Sequence, residues 1–117
     1  MNYNRPFLHS KICTPSAAGT EEVITFPSGF IIRKIWVVTK TAGSSAGHAI
    51  KLQNSAGSTD YASITVGTTV ANTLITTGGA VADASQVFAA GTILRLQSVT
   101  NDATAEYTVF VSGAYQD

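Results

Sequence analysis

Phe30-Ile-Ile-Arg-Lys-Ile-Trp-Val-Val-Thr-Lys40 is the longest strand-like run of the chain, and its reading decides the fold. Side chains branched at Cβ lose rotamer freedom in a helix and pack well on a pleated sheet, so this density of Ile and Val predicts a strand. Apolar residues fall on both faces of its second half, which predicts a strand that is central in its sheet or overlaid by a partner. Pro27-Ser-Gly29 supplies a turn before it, and Thr41-Ala-Gly-Ser-Ser-Ala-Gly-His48 reads as a loop after it.

Outward from this run the period stays close to two. Glu22, Ile24 and Phe26 alternate with Val23 and Thr25. Ile50 and Leu52 are expected to point inward, with Lys51 and Gln53 outward. After the loop Asn54–Asp60, Ala62, Ile64 and Val66 alternate with Ser63 and Thr65. Thr73–Thr77 is a weaker strand broken by Gly78-Gly79. Asp83-Ala-Ser-Gln86 has the spacing of a capping box and predicts one short helical turn running to Ala89, ended by Gly91. Thr92–Val99 and Glu106–Val111 alternate cleanly on either side of Asn101-Asp-Ala-Thr104, which predicts a β-hairpin with a connection of four or five residues. Seven or eight short strands with regular turn signals and no βαβ alternation define an all-β chain, a single antiparallel β-sandwich.

Residues 1–20 stand apart from the sandwich expected over 21–117. Tyr3, Phe7, Leu8 and Ile12 are irregularly spaced, Pro6 and Pro15 exclude a helix, and Ser16-Ala-Ala-Gly-Thr20 resembles a joint. This segment is expected to be an extended N-terminal arm that touches a neighbouring subunit. A loose tail, or an edge strand of the chain's own domain, are the alternatives.

Composition narrows the function. Hydrophobic residues make up 44% of the 117-residue chain, but charged residues only 12%, about half of the usual ~25%. An exterior so poor in charge suits a protein partly covered by neighbours. Seven basic and seven acidic residues cancel, which argues against nucleic-acid binding, where unbalanced Lys and Arg neutralise phosphate. No run approaches the length of a membrane span, and no secretory leader pattern opens the chain, so a soluble, unprocessed protein made in the cytosol is expected. Cys13 is the sole cysteine and cannot close an internal disulfide. Its plain reading is a small apolar side chain, and its sharper one is an intermolecular disulfide.

Catalytic constellations are hard to assemble from this inventory. His9 and His48 are the only histidines, and no H-x-x-x-H or C-x-x-C spacing is present. Zinc would need distant partners such as His48 with Asp60, and the plainer expectation is two solvent-exposed histidines. The serines lack a Gly-x-Ser-x-Gly elbow. Glu21 and Glu22 project to opposite faces of a strand. Gly43–Gly47 and Gly78-Gly79 are not followed by the Lys-Ser/Thr and helix of a phosphate cradle. No catalytic residue, metal or cofactor is therefore expected. Trp36, Tyr61, Tyr107 and Tyr115 invite a carbohydrate-binding reading, because sandwiches can present aromatic platforms, with core packing as the plainer account.

The stretch Phe88-Ala-Ala-Gly-Thr-Ile-Leu-Arg-Leu-Gln-Ser-Val-Thr-Asn-Asp-Ala-Thr-Ala-Glu-Tyr-Thr-Val-Phe-Val-Ser-Gly-Ala-Tyr115 resembles the C-terminal hairpin of small tailed-phage virion proteins. Phe30–Ala42, its Gly/Ser loop and Ala49-Ile-Lys-Leu52 are similar to their earlier half. Such families include head decoration, or cement, proteins with jelly-roll-like sandwiches. The resemblance spans residues 21–115 and is one of style rather than of a diagnostic motif. It implies a virion protein on the capsid exterior that binds the major capsid protein as a homo-oligomer, a trimer favoured over a dimer. Under that reading Tyr3, Phe7, Leu8 and Ile12 are candidate arm contacts, and Phe30, Ile32, Trp36 and Val38 candidates for subunit packing or a shell-facing patch.

Overall fold

The computed structural model describes residues 4–13, 21–43, 48–76, 80–83, 85–98 and 105–116. They form eight strands: β1 (Asn4–Cys13), β2 (Glu21–Ile24), β3 (Phe30–Thr41), β4 (Ala49–Asn54), β5 (Asp60–Thr65), β6 (Thr73–Ile75), β7 (Leu94–Ser98) and β8 (Glu106–Gln116). Two four-stranded antiparallel sheets result, one in the order β1-β8-β3-β6 and the other β2-β7-β4-β5. Their inner faces meet in one core. That strand order is the eight-stranded jelly roll, so the all-β sandwich read from the sequence is the fold of the chain.

Each strand earns its place by alternation. Ile35, Val37, Val109, Val111 and Tyr107 line the inner face of the first sheet, and Ile50, Leu52, Ile64, Leu94 and Leu96 that of the second. All are sealed from solvent. One end is plugged by aromatic rings. Phe26 and Phe30 lie 4.5 Å apart, Phe30 stacks on Phe88 at 5.0 Å, and Phe7 packs on Phe26 at 4.6 Å.

The final two strands do not form a hairpin. β7 pairs with β2 and β4, whereas β8 pairs with β1 and β3. Alternation reveals which face of a strand is buried, not which strand lies beside it. Leu94 and Leu96 belong to one sheet and Val109 and Val111 to the other, and the four share the core rather than a ladder. The predicted turn Asn101–Thr104 lies outside the described residues, as do Tyr3, the joint Ser16–Thr20 and Gly78-Gly79.

The helical turn expected from Asp83 is also absent from the described residues. The Asp83 carboxylate instead accepts hydrogen bonds from the Ser85 N–H (3.0 Å) and hydroxyl (2.6 Å), a local turn that competes with a helix. Flanking backbone ties hold this segment across the side of the sandwich. Ala80 bridges Lys34, the Ala82 N–H reaches the Tyr61 carbonyl, and Phe88 exchanges two hydrogen bonds with Phe30.

Of the courses open to the first twenty residues, the described part takes that of an edge strand. Residues 4–13 are extended and pair without a register break along β8. Cys13 is buried against the core, in keeping with its plain reading.

Candidate interaction face

The outer faces of the two sheets are chemically unlike. On β2-β7-β4-β5 the outward row runs Val23, Arg95, Gln53 and Asp60. Its polar members are knitted together. The Arg95 Nε–H donates to Gln53 Oε1 (3.0 Å), the Gln53 amide donates to Asp60 Oδ1 (2.6 Å), and Lys51 Nζ meets Asp60 Oδ2 at 3.0 Å. These hydrogen bonds, that from Gln53 foremost, hold the Asp60 carboxyl below its ordinary value, against a small opposing effect of burial. Gly57 leaves room for the Arg95 guanidinium, which a Cβ there would strike, and its φ of +74° suits glycine.

On β1-β8-β3-β6 the outward rows set apolar and aromatic side chains among hydroxyls, with Lys34 in the third row. One row sets Ser10, Phe110 and Trp36 side by side, and the next sets Ile12, Thr108, Val38 and Leu74. Leu8 opens a third row beside Ser112 and Lys34. The Trp36 and Phe110 rings are stacked at 5.8 Å and 14°. Leu8 is 59% exposed, Ile12 54% and Leu74 58%. Clustering distinguishes this face from singly scattered surface hydrophobes, which need no explanation. Charge appears at its margin, where Lys40 pairs with Glu106 at 3.3 Å.

Of the eight residues singled out from the sequence, Leu8, Ile12, Trp36 and Val38 are brought together here. Phe30 and Ile32 are not. They are 0% and 1% exposed and belong to the core. The cause is a break in register between Ile32 and Lys34, where β3 bulges and exchanges its faces. Residues 30 and 32 point inward before the bulge, and residues 35, 37 and 39 do so after it. Phe7 also faces inward, onto Phe26 and Tyr115. Sequence reasoning missed Phe110 and Leu74 on the outer face. The alternation of β8 already put Phe110 opposite Val109 and Val111, but only the pairing with β3 brings it to Trp36.

His48 departs from its expected exposure. It is fully buried, its Nδ1 lies 3.3 Å from the Tyr107 hydroxyl, and the two rings meet edge to face at 5.3 Å. A pair sealed this way braces the core and meets no substrate. A shallow depression of about 320 Å³ lies along β5, lined by Asp60, Tyr61, Ala62, Ser63, Ala80 and Ala82. Its one carboxylate, that of Asp60, is hydrogen-bonded to Gln53 and Lys51. Among the described residues no three His, Cys, Asp or Glu side chains group as metal ligands, and no helix is long and apolar enough to cross a membrane.

No protein-family model matches the chain, and no curated protein matches it in sequence. Solved structures do. A chain of the cyanophage Pam1 capsid asymmetric unit is 19% identical with a TM-score of 0.48, covering 97% of this chain and 86% of that one. A chain from Bacillus endospore appendages, a family of disulfide-linked pili, is 13% identical with a TM-score of 0.38, covering 97% and 90%. A chain of infectious bursal disease virus, Gx strain, is 14% identical with a TM-score of 0.35, covering 95% and 33%. Likenesses this distant carry no argument about role. The jelly-roll assignment rests on the strand order.

Proposed function

We propose that this chain is a virion structural protein, a decoration protein that binds the major capsid protein on the outside of a phage head. One observation carries the reading: the two sheets present unlike outer faces, one tied up in its own polar network, the other apolar and led by the stacked Trp36 and Phe110. That asymmetry supports an assembling role. Aromatic side chains are enriched where surfaces associate, and a low overall charge reduces the cost of covering the rest. Attachment in many copies sums modest contacts, because each bound site raises the effective concentration for the next. The resemblance of residues 21–115 to small phage virion proteins supports the same reading.

Antibody labelling of intact particles in the electron microscope tests it. Label over the head exterior is expected. Label confined to tails, or particles without label, would contradict it.

The Trp36–Phe110 pair also supports a second reading, a platform for sugar rings in a receptor-recognition module. Titration with a glycan panel, followed by Trp36 fluorescence, separates the two. A saturable shift with one glycan class would favour the second.

A further inference from the structure

Among the described residues the backbone of β1 leaves one edge of the first sheet open. The Gln116 N–H donates to the Gly29 carbonyl at 2.7 Å, and Phe30 exchanges its backbone bonds with Phe88 rather than with its register partner Tyr115. Antiparallel pairs alternate between bonded and non-bonded. Ala114 therefore directs its N–H and C=O towards β3, and its β1 partner Pro6 sits in a non-bonded pair. Pro6, with no N–H to give, fits only there. By the same alternation Leu8, Ser10 and Ile12 turn their N–H and C=O groups away from β8, outward along the sheet edge. Among the described residues no strand lies beyond β1.

Exposed edges are normally blunted by bulges, by proline or by charged side chains, inward-pointing ones included; within the open stretch β1 carries one of these, Lys11, on its inner face. β1 has no register break, its proline lies before the open stretch, and the side chains on the outer face of that stretch are Leu8, Ser10 and Ile12. We infer that β1 pairs antiparallel with β1 of a second copy about a twofold axis at Ser10. Leu8 of one copy then lies opposite Ile12 of the other, and Ser10 opposite Ser10.

The occupant is a second copy because the edge complements itself in this register. The outward-directed groups at Leu8, Ser10 and Ile12 match those of the other strand with about six hydrogen bonds, and Pro6 falls beyond the paired stretch. Apolar side chains face apolar side chains. On the inner face Lys11 meets His9 of the second copy. Burial first, and then Lys11 of its own strand, lower the His9 pKa below 6.5, so two like charges do not meet at neutral pH. The two apolar faces become one continuous surface across an eight-stranded sheet. An isologous contact closes at two copies. The inference shares with the proposed function only the premise that copies associate, and it is tested without particles.

Sedimentation of the purified full chain should show a dimer. Ser10→Pro removes one outward N–H at the axis and no bond to β8, so it should shift the chain to monomer while its circular dichroism stays that of a β-sandwich. In a hydrogen-bonded antiparallel pair the facing Cα atoms are about 5.5 Å apart, a span that a disulfide bridges. With Cys13→Ala in both proteins, Ser10→Cys should therefore form a covalent dimer under mild oxidation faster than Ser63→Cys on the exposed β5 edge. A monomeric parent chain, a Ser10→Pro dimer, or equal crosslinking at positions 10 and 63 would each overturn the inference. None of these results bears on whether the outer face binds a shell.

Discussion

The Trp36 indole lies nearly parallel to the Phe110 ring across β3 and β8, 14° apart in plane and 5.8 Å between centroids. Both are half-buried, on the side of the sheet away from the core. A stacked pair of this kind contributes about 0.5–1.5 kcal/mol beyond its area. Trp36→Ala should therefore lower unfolding stability only modestly, by roughly 1–2 kcal/mol, with an unchanged urea m-value. Attachment to particles should fall far more steeply, and co-sedimentation with heads measures that.

Phe30 and Trp36 share sequence parity, yet the bulge at Ile32/Lys34 sends them to opposite faces. Phe30→Ala should cost about 3–5 kcal/mol, as expected for a fully buried ring. Equal losses for Phe30→Ala and Trp36→Ala in urea titrations would mean that the bulge is misplaced.

Gly113 lies where Phe7 of β1 folds over β8. A Cβ there would sit 2.7 Å from the Phe7 ring and would strike the Ile31 carbonyl. Gly113→Ala should destabilise the sandwich by about 1–3 kcal/mol or more through overpacking. Amide exchange should rise first along β1. Uniform protection along β1 in the variant would contradict the placement of Phe7.

Residues 4–13 pair along most of β8, so deleting residues 1–15 strips a strand from the sheet. The truncated chain should lose cooperative thermal unfolding. A truncation that melts like the full chain would return residues 4–13 to the role of a dispensable arm.

Acid should weaken the fold in two stages. The His9 pKa is lowered from 6.5, chiefly by burial and then by Lys11. The folded chain thus binds this proton less readily than the unfolded one, and stability present above pH 6.5 is lost as pH falls through the folded value. The Asp60 pKa is lowered from 3.8, chiefly by the Gln53 hydrogen bond and then by Lys51. Its contribution is present above pH 3.8 and is lost as pH falls further. Asp60 is exposed, so solvent screening keeps that second loss small, under about 1 kcal/mol. In thermal melts from pH 7.5 to 3, His9→Gln should remove the first decline and Asp60→Asn should reduce the second, to which Asp83, its carboxyl likewise lowered by the Ser85 hydrogen bonds, also contributes. A decline between pH 7 and 5 that survives His9→Gln would assign it elsewhere.

The sandwich was legible because a strand with one dry face writes a period of two into its residues, as in Ile50–Leu52 and Leu94–Leu96. Neighbour relations were not. β7 and β8 are adjacent in sequence and equally regular, and nothing in their alternation says that they belong to different sheets. The bulge in β3 left no mark in Ile32-Arg33-Lys34-Ile35, so even parity joined Phe30 and Ile32 to Trp36 and Val38. Leu8, Ile12, Trp36 and Val38 of the candidate face were therefore visible. Phe110 and Leu74 reached it through pairings between strands far apart in sequence. His48 was hidden for a related reason: a glycine-rich loop reads as exposed, while Tyr107, its buried partner, comes from the last strand.

Trp36 is the only tryptophan in the chain, so its fluorescence reports directly on the outer face of β1-β8-β3-β6. Emission maximum and acrylamide quenching should be recorded for the free protein and for the protein on particles. Emission shifted to shorter wavelength and protected from acrylamide on the particle is the expected result. Attached protein whose Trp36 stays as quenchable and as red-emitting as in the free chain would show that this face is not the one that binds.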